Sequence, residues 1–447
     1  MKKTLISALI LFISISSFAG DYLTNTNQSI KFLRNPARQG AIGIDGVYYN
    51  PAGVNFLKDG FHVEFNWQVP IQTRNAKSSY GQLFGANYKN PGTQEADGSF
   101  SRLFKGKASV PMQPSLYLAY NVEGWSFQLG FNVVGGGGTC KFNSGIGVLE
   151  ALVGQNGIKT LGANFGGYSL TNYVEGKSIY YGLTLTTARE ISENLSISLG
   201  LRAIFGSNKY TGTIKDITYR TTAGNIIDVP NNIVLDCKQT GTSLAPIIGI
   251  DYRPNEFLNF TARYEFLSHL TLKSKSKNSE TFNNLASSDS PQFAPFKQFL
   301  DGAKHKADMP GMLALGAEIQ PVAGLRIDMG YNHYFDRATR QWGKSLLQDT
   351  NEMVFGTEYD VTDKLTLSAG FQKTFYRQEK ANYSDLSFIM SAWSSAFGLE
   401  YSVTDNLKLN AGYFHTFYRK HTSVTEVSTT TYSRTSRCFG LGIEFSF

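Results

Sequence analysis

Trp125-Ser-Phe-Gln-Leu-Gly-Phe-Asn-Val133 places an apolar residue at every odd position and a polar residue or glycine at every even one. Successive side chains of a β-strand leave opposite faces of the sheet, so this stretch has one oily face and one wet face. The device recurs along the chain. Leu195, Ile197, Leu199, Leu201, Ala203 and Phe205 alternate with Ser196, Ser198, Gly200 and Arg202. Leu365, Leu367, Ala369 and Phe371 repeat it, and Phe439, Leu441, Ile443, Phe445 and Phe447 close the chain on it. A soluble sandwich or barrel with its apolar face inward satisfies this pattern, and so does a membrane barrel with that face outward.

Segment length favours the membrane. The alternating runs span about 10–13 residues, close to the roughly 9–11 of a tilted membrane strand and above the 5–6 usual in soluble domains. Aromatics gather near segment ends, as at Phe61 and Trp67, Tyr331, Tyr334 and Phe335, and Phe414, Phe417 and Tyr418, where interfacial girdles lie. Short turns at 121–124, 188–194, 253–256, 320–324, 361–364 and 403–406 alternate with much longer loops, the asymmetry of periplasmic turns and outer loops. The reading is an all-β transmembrane antiparallel barrel. Its strands are expected near 60–70, 112–121, 125–134, 177–188, 195–206, 242–253, 257–267, 309–320, 324–335, 350–360, 364–375, 390–402, 406–418 and 434–447, about 14 in all, an even number as bacterial barrels require.

The N-terminus reads as an export signal over residues 1–19. Lys2 and Lys3 precede an apolar run from Leu5 to Phe18, and Ser17 and Ala19 set small residues before a cut at Gly20. Residues 60–447 are assigned to the barrel and 20–59 to a compact segment in front of it. That segment carries two Asn-Pro steps, Asn35-Pro36 and Asn50-Pro51, which force extended or turned backbone. A cylinder of this size has a lumen too wide for its own side chains to fill, so residues 20–59 are expected to fold inside as a plug, with a periplasmic tail as the alternative.

Arg34-Asn-Pro-Ala-Arg38, then Asp45-Gly-Val-Tyr-Tyr-Asn-Pro-Ala-Gly53 directly before the first strand, resembles the FadL family of outer-membrane transporters for long-chain fatty acids and other hydrophobic compounds. The plug motif is Asn35, Pro36, Asn50, Pro51, Ala52 and Gly53. The signal, strand number, short turns and terminal Phe447 agree with the resemblance. It implies a barrel plugged by an N-terminal hatch in the outer membrane of a Gram-negative bacterium. It also implies passive uptake of hydrophobic molecules, long-chain fatty acids foremost, with no catalysis and no cofactor. Partners are then the ligand, outer-membrane lipid and the barrel assembly machinery, and the chain is expected to be a monomer.

Two loops are apolar where polar residues are expected. Residues 142–165 carry Phe142, Leu149 and Leu152 with partly helical spacing, and residues 282–300 carry Phe293, Phe296 and Phe299. Exposed apolar patches mark interaction surfaces, so these are expected to capture ligand, or else to pack against one another. Arg202, Arg263 and Arg326 fall on inward phases and are headgroup candidates, because a guanidinium holds a carboxylate in bidentate fashion. Glu64, Glu265, Glu318, Asp328, Glu358 and Glu444 share those phases, so mutual pairing of lumen charges is the competing expectation. Gly130, Gly135 and Gly136, in or just after the third strand, permit a kink. The resemblance implies a lateral gate there.

Composition narrows the alternatives. Of 447 residues 44 are glycine, 24 Tyr, 32 Phe and 4 Trp, while only 17% are charged, unlike an ordinary cytosolic enzyme. The net charge of +7 comes from residues scattered along the chain, without a nucleic-acid motif. There is no G-x-S-x-G element, and the histidines form no catalytic or metal-binding motif. Cys140, Cys237 and Cys438 have no metal-ligand spacing, and a Cys140–Cys237 bond and free thiols both remain open. A general diffusion porin and a mainly structural outer-membrane protein are the alternative functions.

Overall fold

The computed structural model describes residues 27–230, 232–289, 291–340, 348–376, 383, 385 and 388–447. The expected signal peptide lies outside the described residues. Fourteen antiparallel strands close into one barrel. They are β1 (Gly60–Ser79), β2 (Phe100–Ser109 and Gln113–Val122), β3 (Trp125–Phe142), β4 (Phe165–Ser192), β5 (Leu195–Thr221), β6 (Ile233–Asn255) and β7 (Leu258–Glu265 and Thr271–Ser276). The others are β8 (Lys304–Lys306 and Met312–Val322), β9 (Leu325–Tyr334), β10 (Thr350–Asp360), β11 (Leu365–Phe375), β12 (Ala392–Thr404), β13 (Leu407–Tyr418) and β14 (Thr429–Ser446). Three strands are therefore broken in two, at 110–112, 266–270 and 307–311.

Closure is made by β1 against β14, with Val63 opposite Phe445 and Trp67 opposite Leu441. The last residue completes it. Phe61 and Phe447 exchange backbone hydrogen bonds of 2.7 and 2.9 Å, and their rings stack at 5.6 Å. The short connections are true hairpin turns. Glu123 and Gly124 both have positive φ (48° and 73°) between the paired Val122 and Trp125, the mirror-image turn whose twist matches flanking strands.

The faces settle which of the two alternating architectures is present. On β1, Phe61, Phe65, Trp67 and Ile71 are exposed, while His62, Glu64, Asn66 and Gln68 between them are buried. On β5, Ile197, Leu199, Leu201 and Phe205 are exposed, while Ser196, Ser198 and Arg202 are buried. An apolar exterior around a polar interior is the inverse of a soluble barrel and is stable only in a bilayer. No helix among the described residues is long and apolar enough to cross a membrane.

At the short-turn ends the strands begin and end close to the positions expected from alternation. At the other end β1, β3, β4, β5, β6 and β14 run far beyond them, β5 to Thr221 and β4 from Phe165. The reason is physical. Above the lipid band the outward face no longer needs to be apolar, so Lys209, Thr211 and Thr213 replace the oily phase of β5 and the alternation that announces a strand vanishes.

Residues 28–55 are buried, Ile42 partly, and pack against inward-facing residues of the barrel strands. Helix α1 (Ile30–Arg34) starts with the Ser29 hydroxyl accepting from the Phe32 amide at 3.1 Å, a standard N-cap. It ends at Asn35, whose extended backbone (φ −151°) suits the residue before Pro36. Helix α2 (Gly46–Tyr49) leads to the second Asn-Pro step. Ile30, Phe32, Leu33, Val47, Tyr48, Tyr49 and Val54 join Tyr117, Tyr180, Ile204, Phe414 and other inward barrel residues in one buried cluster.

The outer loops form a second cluster. Helix α3 (Gly147–Leu161) and helix α4 (Glu280–Ser287), with the 3-10 turns around Leu83–Ala86 and Pro291–Phe299, pack above the long strands. Cys140 and Cys237 both lie buried in this cluster, and all three cysteines are unbonded.

Candidate functional site: the lumen, its floor and its wall

Both Asn-Pro steps act by one device. The Asn35 carbonyl oxygen accepts from the Ala37 amide at 3.1 Å, while its NH2 donates to Asp328 of β9 at 2.6 Å. The Asn50 carbonyl oxygen accepts from the Gly53 amide at 3.1 Å, while its NH2 donates to Asp251 of β6 at 2.5 Å. Each carboxamide organises its own turn and latches that turn to a carboxylate on the wall. Pro51 adds its carbonyl, which accepts from Gln128 at 2.8 Å. A Cβ at Gly53 would come 2.8 Å from Asp251, so glycine is required for the approach. Pro36 packs on Gly370, and Ala52 is fully buried.

Charges seal the floor. Arg34 pairs with Glu358 at 3.0 Å and Glu400 at 2.9 Å and donates to Ser368. Arg38 binds Asp45 through two contacts of 2.9 and 3.0 Å. Lys31 lies 3.5 Å from Glu64 and also pairs with Glu444. Arg326 binds Asp360 at 2.7 Å and lies 3.5 Å from Glu358. Below this layer, a cavity of about 760 Å³ lined by Lys31, Arg34, Glu358, Glu400 and Lys408 opens between the short turns. Arg326 is thus part of the floor, far from the apolar lumen.

Arg202 and Arg263 converge higher up. Arg202 is fully buried; it binds Glu265 at 2.6 Å, donates to Thr184 at 2.9 Å and lies 4.7 Å over the Tyr48 ring. Arg263 sits 5.1 Å over the same ring, donates to the Tyr48 carbonyl and is 3.8 Å from Glu265. Two guanidiniums face one carboxylate. Arg202 Nη2, Arg263 Nε and the Tyr48 hydroxyl have no hydrogen-bond partner among the described residues. Buried polar atoms are normally partnered, so this triad is an incomplete polar site inside an apolar cluster containing Tyr180, Leu270, Leu272 and Met312.

The ladder between β2 and β3 is interrupted. β2 and β3 pair up to Leu116 opposite Phe131 and again from Ser109 opposite Thr139, but 110–115 and 132–138 between them are not in register with each other. Pro111 removes an amide on one side. On the other, β3 slips register against β4 between Val133 and Gly135 and again before Gly138. Gly136 and Gly138 adopt φ of 95° and 73°, a region closed to most residues with a Cβ. Gly135 sits at the first slip, opposite Tyr180. Gly130 lies lower, where an added Cβ would be 3.1 Å from Val47 of the inner segment. Exposed Met112 and Phe131 on these strands place the gap within the apolar band.

Gln28 fills it from inside. Its Nε2 donates to the Val133 carbonyl at 2.8 Å, and its Oε1 accepts from Asn132 at 2.9 Å. Its backbone carbonyl accepts from Ser115 at 2.5 Å and Tyr117 at 2.9 Å, and its amide donates to Tyr49 at 2.8 Å. The Val133 carbonyl, freed by the broken ladder, is thereby satisfied, together with side-chain groups of Ser115, Tyr117 and Asn132. Sequence reasoning found the glycines but missed Gln28, Asn132 and Tyr48, because no local pattern marks a residue whose partners lie far along the chain.

In the outer cluster Phe142 and Phe299 are buried, while Leu149, Leu152, Phe293 and Phe296 stay half-exposed at its edge. Both apolar loops therefore pack into a common core and keep an apolar rim. Among the described residues no group of metal-ligating side chains is assembled.

No family model matches the chain, and no curated protein matches it. Solved structures do. A FadL homologue of Pseudomonas aeruginosa superposes over 97% of this chain and 100% of its own with a TM-score of 0.64 at 14% identity. The toluene transporter TodX of Pseudomonas putida covers 94% of this chain and 98% of its own, with a TM-score of 0.58 at 12% identity. The toluene transporter TbuX of Ralstonia pickettii gives 93%, 98%, 0.54 and 12%. The likeness is one of fold, and it extends over nearly the whole of each chain.

Proposed function

We propose that this barrel is a passive outer-membrane channel for hydrophobic small molecules, with long-chain fatty acids as the principal substrate class. The observation that carries the proposal is the interrupted β2–β3 ladder, which lies in the lipid-facing band and is bridged from inside by hydrogen bonds of Gln28. An oily ligand moving down the axis would have to cross the ion-paired floor and leave through a charged cavity. Desolvating those buried pairs is costly, whereas stepping sideways into lipid is downhill for apolar surface.

The route has three stages. Leu149, Leu152, Phe293 and Phe296 offer an apolar rim for capture, with Phe142 and Phe299 supporting it from below. Residues 27–58 act as the plug that keeps water-soluble compounds out. The ligand settles in the cluster around Tyr48, Tyr180 and Leu270 and then leaves past Gln28. Arg202 and Arg263 favour a carboxylate over a neutral hydrocarbon, because the pair carries one positive charge more than Glu265 balances. Each buried ligand methylene adds about 0.8 kcal/mol, so a long acyl chain needs little polar help.

Replacing Gly130 and Gly135 with Val, in cells with normal barrel assembly, is expected to abolish oleate uptake. Unchanged uptake would reject the lateral route. A general porin is separated by liposome swelling with sugars, on which a plugged barrel stays nearly silent.

A further inference from the structure

The lysines that look scattered in the sequence are gathered by strand register. Lys177 of β4 lies directly opposite Lys209 of β5, Lys209 opposite Lys238 of β6, and Lys238 opposite Lys275 of β7. The row continues on both sides, with Lys107 opposite Lys141 on β2 and β3 and Lys273 opposite Lys304 on β7 and β8. All of these side chains are exposed and point away from the lumen.

Such an arrangement is not neutral. Like charges directly across antiparallel strands destabilise a sheet, and here four adjacent strands repeat the conflict at one height. Counterions from the chain are scarce. Lys141 pairs with Glu175 at 3.6 Å, while Lys107, Lys177, Lys209, Lys238, Lys273, Lys275 and Lys304 have no acidic group within ion-pair distance among the described residues.

The height is informative. Tyr181 on β4, Phe205 on β5 and Leu244 on β6, all exposed, mark the top of the apolar band. Lys177 and Lys209 stand four residues beyond Tyr181 and Phe205, with Ile179 and Ser207 between. Acyl chains that pack against the rings below therefore end where the ammonium row begins.

We propose that this row is a binding surface for the anionic phosphate headgroups of lipids in the leaflet around the long-loop end of the barrel. The phosphates supply the negative charge that the chain omits, and the apolar band below holds their tails. Attraction of clustered lysines to anionic lipid is additive and falls with ionic strength.

The test uses the full chain purified in octyl glucoside and a variant carrying Lys177→Gln, Lys209→Gln, Lys238→Gln and Lys275→Gln. Dioleoyl phosphatidic acid is the probe, dioleoyl phosphatidylcholine the zwitterionic control and inorganic phosphate the free-anion control. Native mass spectrometry reads bound lipid, and heat-dependent gel mobility reads unfolding.

The parent barrel is expected to bind phosphatidic acid about tenfold more tightly than the variant and to unfold at a higher temperature in its presence. Without lipid the variant is expected to be the more heat-resistant of the two, since the repulsion is gone. Phosphatidylcholine should not separate the two proteins. Equal phosphatidic acid binding by both would overturn the proposal. So would equal stabilisation of the parent by inorganic phosphate, which would mark a free-anion surface. If the fourfold variant does not assemble, Lys177→Gln with Lys238→Gln removes alternate charges and should show a smaller loss of the same sign; no loss would again contradict it.

Discussion

Gln28 donates through Nε2 to the carbonyl of Val133 at 2.8 Å, joining the start of the inner segment to the stretch of β3 whose pairing with β2 is interrupted. On the proposed lateral route, the residue that bridges the interrupted ladder belongs to the inner segment, so plug and gate would be one covalent unit.

Weakening that bond should open the gap. A hydrogen bond contributes about 1 kcal/mol net, or roughly fivefold in population. Gln28→Ala is therefore expected to raise the initial rate of oleate uptake severalfold without admitting sugars. Stopped-flow uptake into proteoliposomes measures this, and an unchanged rate would mean that Gln28 is not the stopper.

The latches predict a sharp isosteric effect. Asn50→Asp replaces an NH2 donor with a carboxylate beside Asp251, and Asn35→Asp does the same beside Asp328. Like charges at contact in a buried site are strongly unfavourable. Either variant should loosen the inner segment at neutral pH, giving sugar permeation in liposome swelling while barrel heat-resistance changes little. A tight, sugar-silent Asn50→Asp barrel would show that the latch is dispensable.

The triad predicts selectivity by charge. Arg263→Met keeps the length and apolar volume of the side chain and removes the excess positive charge, while Arg202 still pairs with Glu265. Calorimetry is expected to show oleate affinity falling by roughly tenfold, about 1.4 kcal/mol, with little change for an uncharged ligand such as toluene. An equal loss for both ligands would assign Arg263 to packing alone.

The outer cap should respond to pH through Asp385. Its carboxylate accepts from the Val148 amide at the start of α3 at 2.9 Å and from the Tyr432 hydroxyl at 3.4 Å. Burial pushes this carboxyl above the usual range, and those hydrogen bonds only partly offset it. A raised folded value means that the folded cap holds the proton more tightly than the unfolded chain. The cap therefore gains stability as pH falls from the folded value toward about 4 and loses it as pH rises through that window. Asp385→Asn keeps an acceptor for Val148 and removes the buried charge. Hydrogen exchange at the α3 amides should then be slower at neutral pH and flatter across the acid range. Exchange as steep as in the parent would place the titration elsewhere.

The membrane-spanning part of this fold was legible because lipid imposes a strict period of two on residues such as Leu195–Phe205 and Phe439–Phe447. The same physics hid the outer half of the long strands. Beyond Phe205 the exterior is wet, and Lys209, Thr211 and Thr213 carry no sign of the strand they form. The glycines after Val134 announced a distortion of β3, but the missing β2–β3 pairs depend equally on the break at Pro111, which reads as an ordinary loop. Arg202, Arg263 and Arg326 were expected to face inward, and they do. That Arg326 belongs to the floor while the other two meet at Tyr48 follows from strand stagger, which no local pattern encodes. The lysine row is the clearest case. Its members are tens of residues apart in sequence and become neighbours only through register.

Lateral passage is tested most directly by photolabelling during transport. A fatty acid with a diazirine at its methyl end, taken up by proteoliposomes and irradiated in transit, is predicted to label Gln113, Asn132 and Gln28 around the β2–β3 gap. Labelling at Lys31, Glu358 or Lys408 in the cavity below the floor, with the gap residues clean, would show an axial path and contradict the account.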